Sequence, residues 1–382
     1  MFLELHMIQN FVPSNLNRDD TGSPKDCEFG GHRRARISSQ CLKRSIRTNE
    51  VFAETTKVPT SKRTHYLANE LTDRLVKRHQ KSSEQASEIA VSLVGEYAKQ
   101  MDKKNPEQSA VLIFISDDEM NMLADKLVDC WDDVTGDDKA RKAALGEIVK
   151  EAVRLYKDHV AAPDIALFGR MLASEPKLNL EAACQVAHAI STHRVSMEMD
   201  YFTAVDDVRE ENEEAGAGHI NTMGFNSSCF YRYARIDWRQ LLKNLNHDQT
   251  LAQNTVDGFL RSSLTAIPSG KKNATGPFNP PSFVLAVVRT DGMGWNLANA
   301  FEKPIFAKRD SSLVGESIAA LDAYWGKLEA IYGGDTLVCV AAINQDGPEL
   351  NHLRGERTVS GRDAWIAAVL SALASKTEEN GA

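Results

Sequence analysis

The sequence lacks the features that define several protein classes. Its 382 residues contain no run of 18 apolar residues, so no transmembrane helix is expected. The opening stretch MFLELHMIQNF has neither a basic region nor a small-residue cleavage site, so no signal peptide is expected either. With 23 glycines and 12 prolines, 42% hydrophobic and 26% charged residues, the composition is that of a globular protein.

Paired cysteines are also missing. Six cysteines stand at positions 27, 41, 130, 184, 229 and 339, and no two of them form a CxxC pair. This spacing argues against a disulfide framework and against structural zinc. We therefore expect reduced thiols and a cytoplasmic location.

Common enzyme motifs are absent as well. There is no GxGxxG after a predicted strand and no GxSxG. The stretch Gly270-Lys271-Lys272 is not a phosphate-binding loop, because Thr265 stands where its first glycine belongs and Lys272 where Ser or Thr belongs. No cofactor or metal is expected.

Two groups of polar residues still need an interpretation. His188 and His193 are five residues apart on a predicted helix and would face different sides, which disfavours metal binding. Asp206 and Asp207 are adjacent on a predicted strand and would point to opposite faces, so we interpret them as part of a solvated turn. A nuclease role for these two acids remains an alternative.

Charge is distributed unevenly along the chain. The net charge is −8, yet residues 32–47 contain six Lys or Arg and no Asp or Glu. The other 366 residues contain 39 basic and 53 acidic side chains. A local basic segment in an acidic protein indicates a polyanion bound at one place.

The hydrophobic pattern predicts strands scattered among helices, which is typical of an α+β fold. We expect strands at 1–11, 200–208, 225–237, 282–289 and 336–342, with a long loop at 12–37. We expect helices at 40–47, across most of 61–160, and at 180–193, 238–266, 311–331 and 362–374. The acidic connection between 206 and 214 predicts a long β-hairpin with a solvated tip.

The segment 30–47 has the residue types of a phosphate-binding groove. Gly30-Gly31 would allow close backbone approach, and arginines follow at once. Ser38, Ser39 and Gln40 open a helix whose N–H groups can bind phosphate. The alternative is a solvated basic helix without a ligand.

Several of these stretches resemble one known family. The run NRDDTGSPKDCEFGGHRRARISSQCLKRSIR at 17–47 and the run DYFTAVDD at 200–207 are the most specific, and DIALFGRM, AHAI, FYRYA and NAFEK follow the same order. Together they resemble the CasC family, the Cse-type, RAMP-superfamily backbone subunit of the subtype I-E CRISPR Cascade surveillance complex. The resemblance is weak over 50–160 and over the last 60 residues.

The resemblance implies a hand-shaped α+β protein. Its palm would be a modified RNA-recognition-motif (ferredoxin-like) fold with inserted helical fingers and a β-hairpin thumb. The implied ranges are 1–60 for the first part of the palm, 61–179 for the fingers, 180–197 for a palm helix, 198–226 for the thumb and 227–382 for the rest of the palm.

The resemblance also implies a function without catalysis. Copies of the chain would polymerise along a CRISPR RNA, kink it with their thumbs and present segments for pairing with target DNA. The implied partners are CRISPR RNA, the target DNA strand, further copies of the chain, and the large, small, guide-end-capping and RNA-processing Cascade subunits. No membrane is involved.

Candidate RNA-binding residues follow from the basic segment and the matched motifs. They are Arg18, Lys25, Gly30, Gly31, Arg33, Arg34, Arg36, Ser38, Ser39, Gln40, Lys43, Arg44, Arg47, Arg170, Met171, Phe202, Thr203 and Val205. Phe202 would be an apolar wedge between bases, and Met171 would stack on a displaced base; for each of them, packing in the protein core is the alternative. Lys139, Arg141 and Lys142 are the candidates for contact with target DNA.

Two other functions remain open at this point. The first is an RNA-processing or target-RNA-cleaving CRISPR endoribonuclease of the same superfamily, for which Asp206 and Asp207 would be needed. The second is a general single-strand RNA-binding protein without Cascade partners.

Overall fold

The computed structural model describes residues 1–172, 175–203, 220–345 and 347–379. Its strands in this part of the chain are β1 (Phe2–Ser14), β2 (Asp26–Phe29), β3 (His32–Ile37), β4 (Lys62–Thr64), β5 (Ile113–Ile115), β6 (Cys184–Val186), β7 (Ala189–Ser191), β8 (Glu198–Thr203), β9 (Ile220–Asp237), β10 (Phe283–Arg289) and β11 (Leu337–Asn344).

The α-helices of the described residues lie between these strands and at the end of the chain. They are α1 (Ser39–Arg47), α2 (Glu50–Thr56), α3 (Leu67–His79), α4 (Ser83–Ala98), α5 (Asp117–Asp129), α6 (Trp131–Thr135), α7 (Asp138–Tyr156), α8 (Pro163–Phe168), α9 (Trp238–Asn244), α10 (Gln249–Thr265), α11 (Lys272–Thr275), α12 (Leu313–Tyr332) and α13 (Arg362–Glu379). None of these helices is long and apolar enough to cross a membrane. The predicted α+β class is confirmed.

The chain divides into two compact units. The sheet unit comprises residues 1–49, 186–235 and 260–382, and the helical unit comprises 50–185 and 236–259. The first segment of the helical unit includes the whole predicted fingers insertion, 61–179. Residues 236–259 also belong to the helical unit, whereas the resemblance includes them in the rest of the palm, 227–382.

The strand pairs whose register is described in the main sheet are all antiparallel. Its strand order is β11-β10-β1-β9-β7-β3-β2, and β8 also pairs with β9. β10 pairs with β1 from Phe283 opposite Ile8 to Arg289 opposite Phe2, and it pairs with β11 on its other edge. Every residue of β10 is buried, which explains its continuous apolar sequence FVLAVVR.

One apolar core of the sheet unit lies between the sheet and helix α12. Leu285 and Val287 of β10 pack there with Leu321 and Trp325 of α12, and Trp295 lies edge-on to Trp325. Helix α13 contacts β10 and β11. Fully burying each such side chain contributes about 1.5–3 kcal/mol, so this packing fixes the sheet on which the basic segment stands.

A polar network is buried in the same unit. The carboxylate of Glu4 accepts hydrogen bonds from Arg289 Nε at 2.8 Å, from the backbone N–H of Trp295 at 2.8 Å and from the Tyr233 hydroxyl at 3.0 Å. His6 is fully buried beside it, and its Nδ1 is 2.9 Å from the Tyr231 hydroxyl. Burial lowers the pKa of His6 to about 4, so the ring is neutral at physiological pH.

The helical unit is built around α3, α4, α5 and α7. Apolar residues of α4 recur at helical spacing, and Ile89, Leu93 and Tyr97 are all buried in one cluster. Ser116 and Glu119 form a capping box at the start of α5. The two-stranded β4–β5 sheet completes this unit.

Three element predictions are wrong. The helix predicted at 180–193, and with it the palm helix at 180–197, is replaced by strands β6 and β7. The loop predicted at 12–37 contains the β2–β3 hairpin, and the single helix predicted at 238–266 is the pair α9 and α10. Pairing of β7 with both β3 and β9 outweighs the helical spacing of its small apolar residues.

Candidate nucleic-acid interface

The β2–β3 hairpin carries the first part of the basic segment. Gly30 and Gly31 form its two-residue turn, with φ of +60° and +72°. A Cβ atom on Gly30 would overlap the backbone carbonyl of Glu302, whereas one on Gly31 would meet open space. Gly30 is therefore required by protein packing rather than by the approach of a phosphate, which differs from the expectation from sequence.

The three arginines of β3 have different environments. Arg33 is exposed and forms an ion pair with Asp26. Arg36 is half-buried, and its Nε donates to the Asp26 carbonyl at 3.1 Å. Arg34 is fully buried, so in this structure it cannot reach a phosphate as the sequence had suggested.

Arg34 instead holds backbone segments together. Its guanidinium donates to the carbonyls of Ser191, Thr192, Phe301 and Glu302 at 2.7–3.1 Å. Carbonyl oxygens satisfy the buried donors without a carboxylate partner. The residue connects β3, the end of β7 and the turn at 301–302.

Helix α1 carries the second part of the basic segment. Ser38 is its N-cap and is buried, and its Oγ has no hydrogen-bond partner in the described residues. Gln40 and Arg44 are exposed, whereas Lys43 is half-buried. Arg47 is only 8% exposed, so, unlike the exposed Arg44, it does not offer its side chain to RNA as the sequence had suggested.

An open groove of about 500 Å³ lies beside α1 in the sheet unit. Arg18 and Arg44 line it together with the hydroxyl residues Ser45 and Ser269. Asp19 and the adjacent Asp20 also line it, so the groove is of mixed charge. The hydrogen bond from Thr21 is the main cause that lowers the pKa of the Asp19 carboxyl.

The predicted cations at positions 18–47 that remain at least partly exposed are here called the basic surface. They are Arg18, Lys25, Arg33, Arg36, Lys43 and Arg44. They lie on the segment before β2, on β3 and on α1, and these elements are fixed by the sheet.

His188 belongs to the same neighbourhood, although the sequence gave it no binding role. Its Nδ1 is 3.2 Å from the backbone N–H of Ser39 and 3.4 Å from Arg36 Nη1. Desolvation is the main cause that lowers the pKa of His188, and the positive charges of Arg36 and Lys25 lower it further. The helix predicted at 180–193 gave no reason to place His188 beside the basic segment. The pairing of β7 with β3 brings them together.

In the helical unit, Arg170 and Met171 have opposite environments. Arg170 is buried and forms an ion pair with buried Glu119 at 2.5 Å, so it does not offer a guanidinium to RNA. Met171 is 82% exposed beside an open pocket of about 520 Å³ that Phe168 and Leu180 also line. It is therefore not the core residue that was its alternative interpretation.

The predicted thumb hairpin is described at its base only. β8 and β9 pair antiparallel, with Phe202 opposite Asn221 and Thr203 opposite Ile220. Val205, Asp206 and Asp207 lie outside the described residues. Met199 and Tyr201 lie two residues apart on one face of β8 and are 56% and 72% exposed, although the sequence gave neither of them a binding role.

The candidate DNA-contacting residues lie at the start of α7. Lys139 and Lys142 are exposed. Arg141 donates to Glu88 at 2.7 Å and to the Val134 carbonyl at 2.9 Å, so its guanidinium stabilises the helical unit. Of the three, the two lysines are available to a ligand.

Comparison with known proteins adds independent findings. A solved structure described as "CRISPR RNA-guided surveillance complex, pre-nicking" is similar to this chain with a TM-score of 0.82 and 29% identity, covering 98% of this chain and 100% of that one. A second, "CRISPR RNA-guided surveillance complex", has a TM-score of 0.72 and 23% identity over 97% and 100% of the two chains, which supports the fold alone. No curated protein matches the sequence. The family model described as CT1975-like protein (Cas_CT1975) matches residues 3–365, and the chain therefore belongs to the CT1975-like protein family.

Proposed function

We propose that this chain is the RNA-binding backbone subunit of a type I-E CRISPR RNA-guided surveillance complex. Copies of it polymerise along the guide RNA and leave the bases free to pair with target DNA. The observation that carries the proposal is the basic surface on β3 and α1 of an otherwise acidic chain. The full-length similarity to a solved structure described as a CRISPR RNA-guided surveillance complex supports it.

The chemistry of the basic surface suits binding without sequence preference. Exposed Arg33 and Arg44, with half-buried Arg36 and Lys43, provide charge and hydrogen bonds for phosphate oxygens. A subunit that repeats along different guides should contact phosphate and sugar rather than base edges. Arginine and lysine on a rigid strand and helix meet that need.

Exposed apolar side chains supply a second kind of contact. Met171 and Tyr201 are largely exposed, and burying them only on assembly would explain their exposure in the single chain. We propose that Met171 stacks on a displaced base and that the apolar stretch around Phe202 crosses the RNA. Exposed Lys139 and Lys142 are proposed to contact the target strand.

The proposal includes no catalytic step. In the described part of the chain, no three His, Cys, Asp or Glu side chains are grouped so that they could hold a metal ion. A binding role in the cytoplasm, with large, small, guide-end-capping and RNA-processing subunits as partners, is the function that we infer. Incubation of the purified chain with RNA and Mg²⁺ or Mn²⁺ should give no cleavage products.

The proposal is tested by purifying the tagged chain from cells that also express the other subunits and a CRISPR array. We expect a multi-subunit particle that contains RNA of uniform length. A chain that purifies alone and free of RNA would contradict the proposal. Metal-dependent RNA cleavage that disappears in Asp206→Ala would instead favour the endoribonuclease.

A further inference from the structure

His188 accepts hydrogen bonds at the start of helix α1. The backbone N–H of Ser39 lies 3.2 Å from its Nδ1, and Arg36 Nη1 lies 3.4 Å from the same atom. An imidazole nitrogen that faces two donors must offer its lone pair, so the remaining ring proton is on Nε2. The geometry therefore requires a neutral His188 in the free protein.

The surroundings of His188 are those of an anion site. Lys25 lies on the segment before β2, and its backbone carbonyl accepts a hydrogen bond from the Arg36 N–H. The charges of Lys25 and Arg36 both act on the ring. The first turn of α1 contains no acidic residue, so its N-terminal N–H groups add further positive potential.

The N-cap residue of α1 leaves its first turn without a side-chain cap. Ser38 is only 1% exposed, and its Oγ makes neither the usual capping bond nor any other hydrogen bond in the described residues. Because this hydroxyl is buried, an anion would bond the uncapped N–H groups of the first turn rather than Ser38 Oγ.

The acidic and thiol groups near this cluster do not oppose an anion. Asp26 of β2, whose backbone carbonyl accepts a hydrogen bond from Arg36, has its carboxylate already paired with Arg33. Burial raises the pKa of Cys27 and of Cys41, so both thiols are neutral near physiological pH. The net charge of the cluster in the free protein is therefore positive.

We infer that Lys25, Arg36, His188 and the first N–H groups of α1 bind one phosphate of the RNA backbone, and that RNA binding adds a proton to His188. A phosphate oxygen would replace His188 Nδ1 as the acceptor for Ser39 and Arg36. The released imidazole would then lie beside a negative charge, which favours its protonated form. The inference rests on the proposed RNA-binding function and adds a residue and a proton linkage to it.

Replacement of His188 Nδ1 by a phosphate oxygen determines how RNA affinity depends on pH. Because the complex binds one more proton than the free protein, RNA affinity should rise as the pH falls from 8 to 6. For a single linked proton the rise is at most about tenfold per pH unit. The charge of the RNA phosphates does not change over this range, so their titration does not contribute.

The test uses the full-length chain and a fluorescently labelled single-stranded RNA at constant ionic strength. His188→Asn keeps a neutral acceptor near the position of Nδ1 but cannot be protonated. His32→Asn is the matched control, because His32 is an exposed imidazole on the same strand as Arg36, about 13 Å away along the strand. Circular dichroism checks the folding of each variant.

We expect the wild type and His32→Asn to bind severalfold more tightly at pH 6 than at pH 7, and His188→Asn to lose most of this gain. An equal pH dependence in the wild type and His188→Asn would overturn the inference while leaving the proposed function intact. If the wild type bound no RNA at any pH, the proposed function would fail and the inference with it.

A second measurement does not depend on any variant. Calorimetric titration of the wild type with RNA, in buffers of different ionisation enthalpy near pH 6.5, gives the number of protons taken up on binding. We expect a clear fractional uptake. RNA binding without proton uptake would overturn the role of His188.

Discussion

Replacing Arg34 by alanine should destabilise the sheet unit rather than simply weaken RNA binding. The guanidinium donates to the carbonyls of Ser191, Thr192, Phe301 and Glu302, all within 3.1 Å. Leaving each of these carbonyls without its donor costs at least about 1 kcal/mol. The expected loss is therefore about 4 kcal/mol, a large share of the 5–15 kcal/mol that typically separates folded from unfolded protein.

Urea unfolding followed by circular dichroism and tryptophan fluorescence measures this effect. Arg33→Ala is the matched control, because Arg33 is the exposed neighbour on the same strand and its ion pair with Asp26 contributes about 1 kcal/mol at most. The unfolding midpoint should fall strongly for Arg34→Ala and little for Arg33→Ala. An Arg34→Ala protein with wild-type stability and reduced RNA affinity would refute the reasoning and make Arg34 an RNA contact.

Three further predictions concern binding and pH. The double variant Arg33→Ala, Arg44→Ala should keep wild-type stability. Its log affinity for single-stranded RNA should fall less steeply with log salt concentration, by about 0.7 in slope for each lost phosphate contact, as measured by anisotropy over a salt series. An unchanged slope would mean that both side chains only face solvent. Because the pKa of buried His6 is lowered to about 4, the free energy of unfolding should fall as the pH drops from 6.5 towards 4, by about 2 kcal/mol at pH 5. In urea titrations, a neutral His6→Asn variant should lose this part of the pH dependence. Phe202→Ala should weaken assembly on RNA by about tenfold per affected site and equally for guides of unrelated sequence, measured as particle formation; normal assembly, or a much lower melting temperature in isolation, would show that Phe202 is not a stacking wedge.

The strands and helices with strong periodic patterns were predictable from the sequence. The apolar run at 282–289 is strand β10, and the amphipathic segment at 311–331 is helix α12. The Gly30-Gly31 turn between β2 and β3 was also readable, because two glycines flanked by strand residues indicate a two-residue hairpin. The loop predicted at 12–37 is therefore interrupted by a hairpin.

Other features depend on tertiary structure and could not be read from the chain. The small apolar residues of 180–193 have helical spacing, but Ile190 lies opposite Tyr231 and Arg36 in a sheet whose partners are distant in sequence. Likewise, the sequence alone does not distinguish the environments of Arg33, Arg34 and Arg36. Only the positions of the carbonyls around Arg34 show that this arginine stabilises the fold.

The central claim is that many copies of the chain assemble on one RNA, and the mass of the assembly tests it most directly. Purified chain is mixed with single-stranded RNAs of increasing length, and the mass of each complex is measured by native mass spectrometry with the other subunits present where assembly requires them. The account predicts that mass rises in steps of one 42.2 kDa chain, at a constant number of added nucleotides per step. A single copy bound whatever the RNA length, or no RNA bound at all, would contradict it.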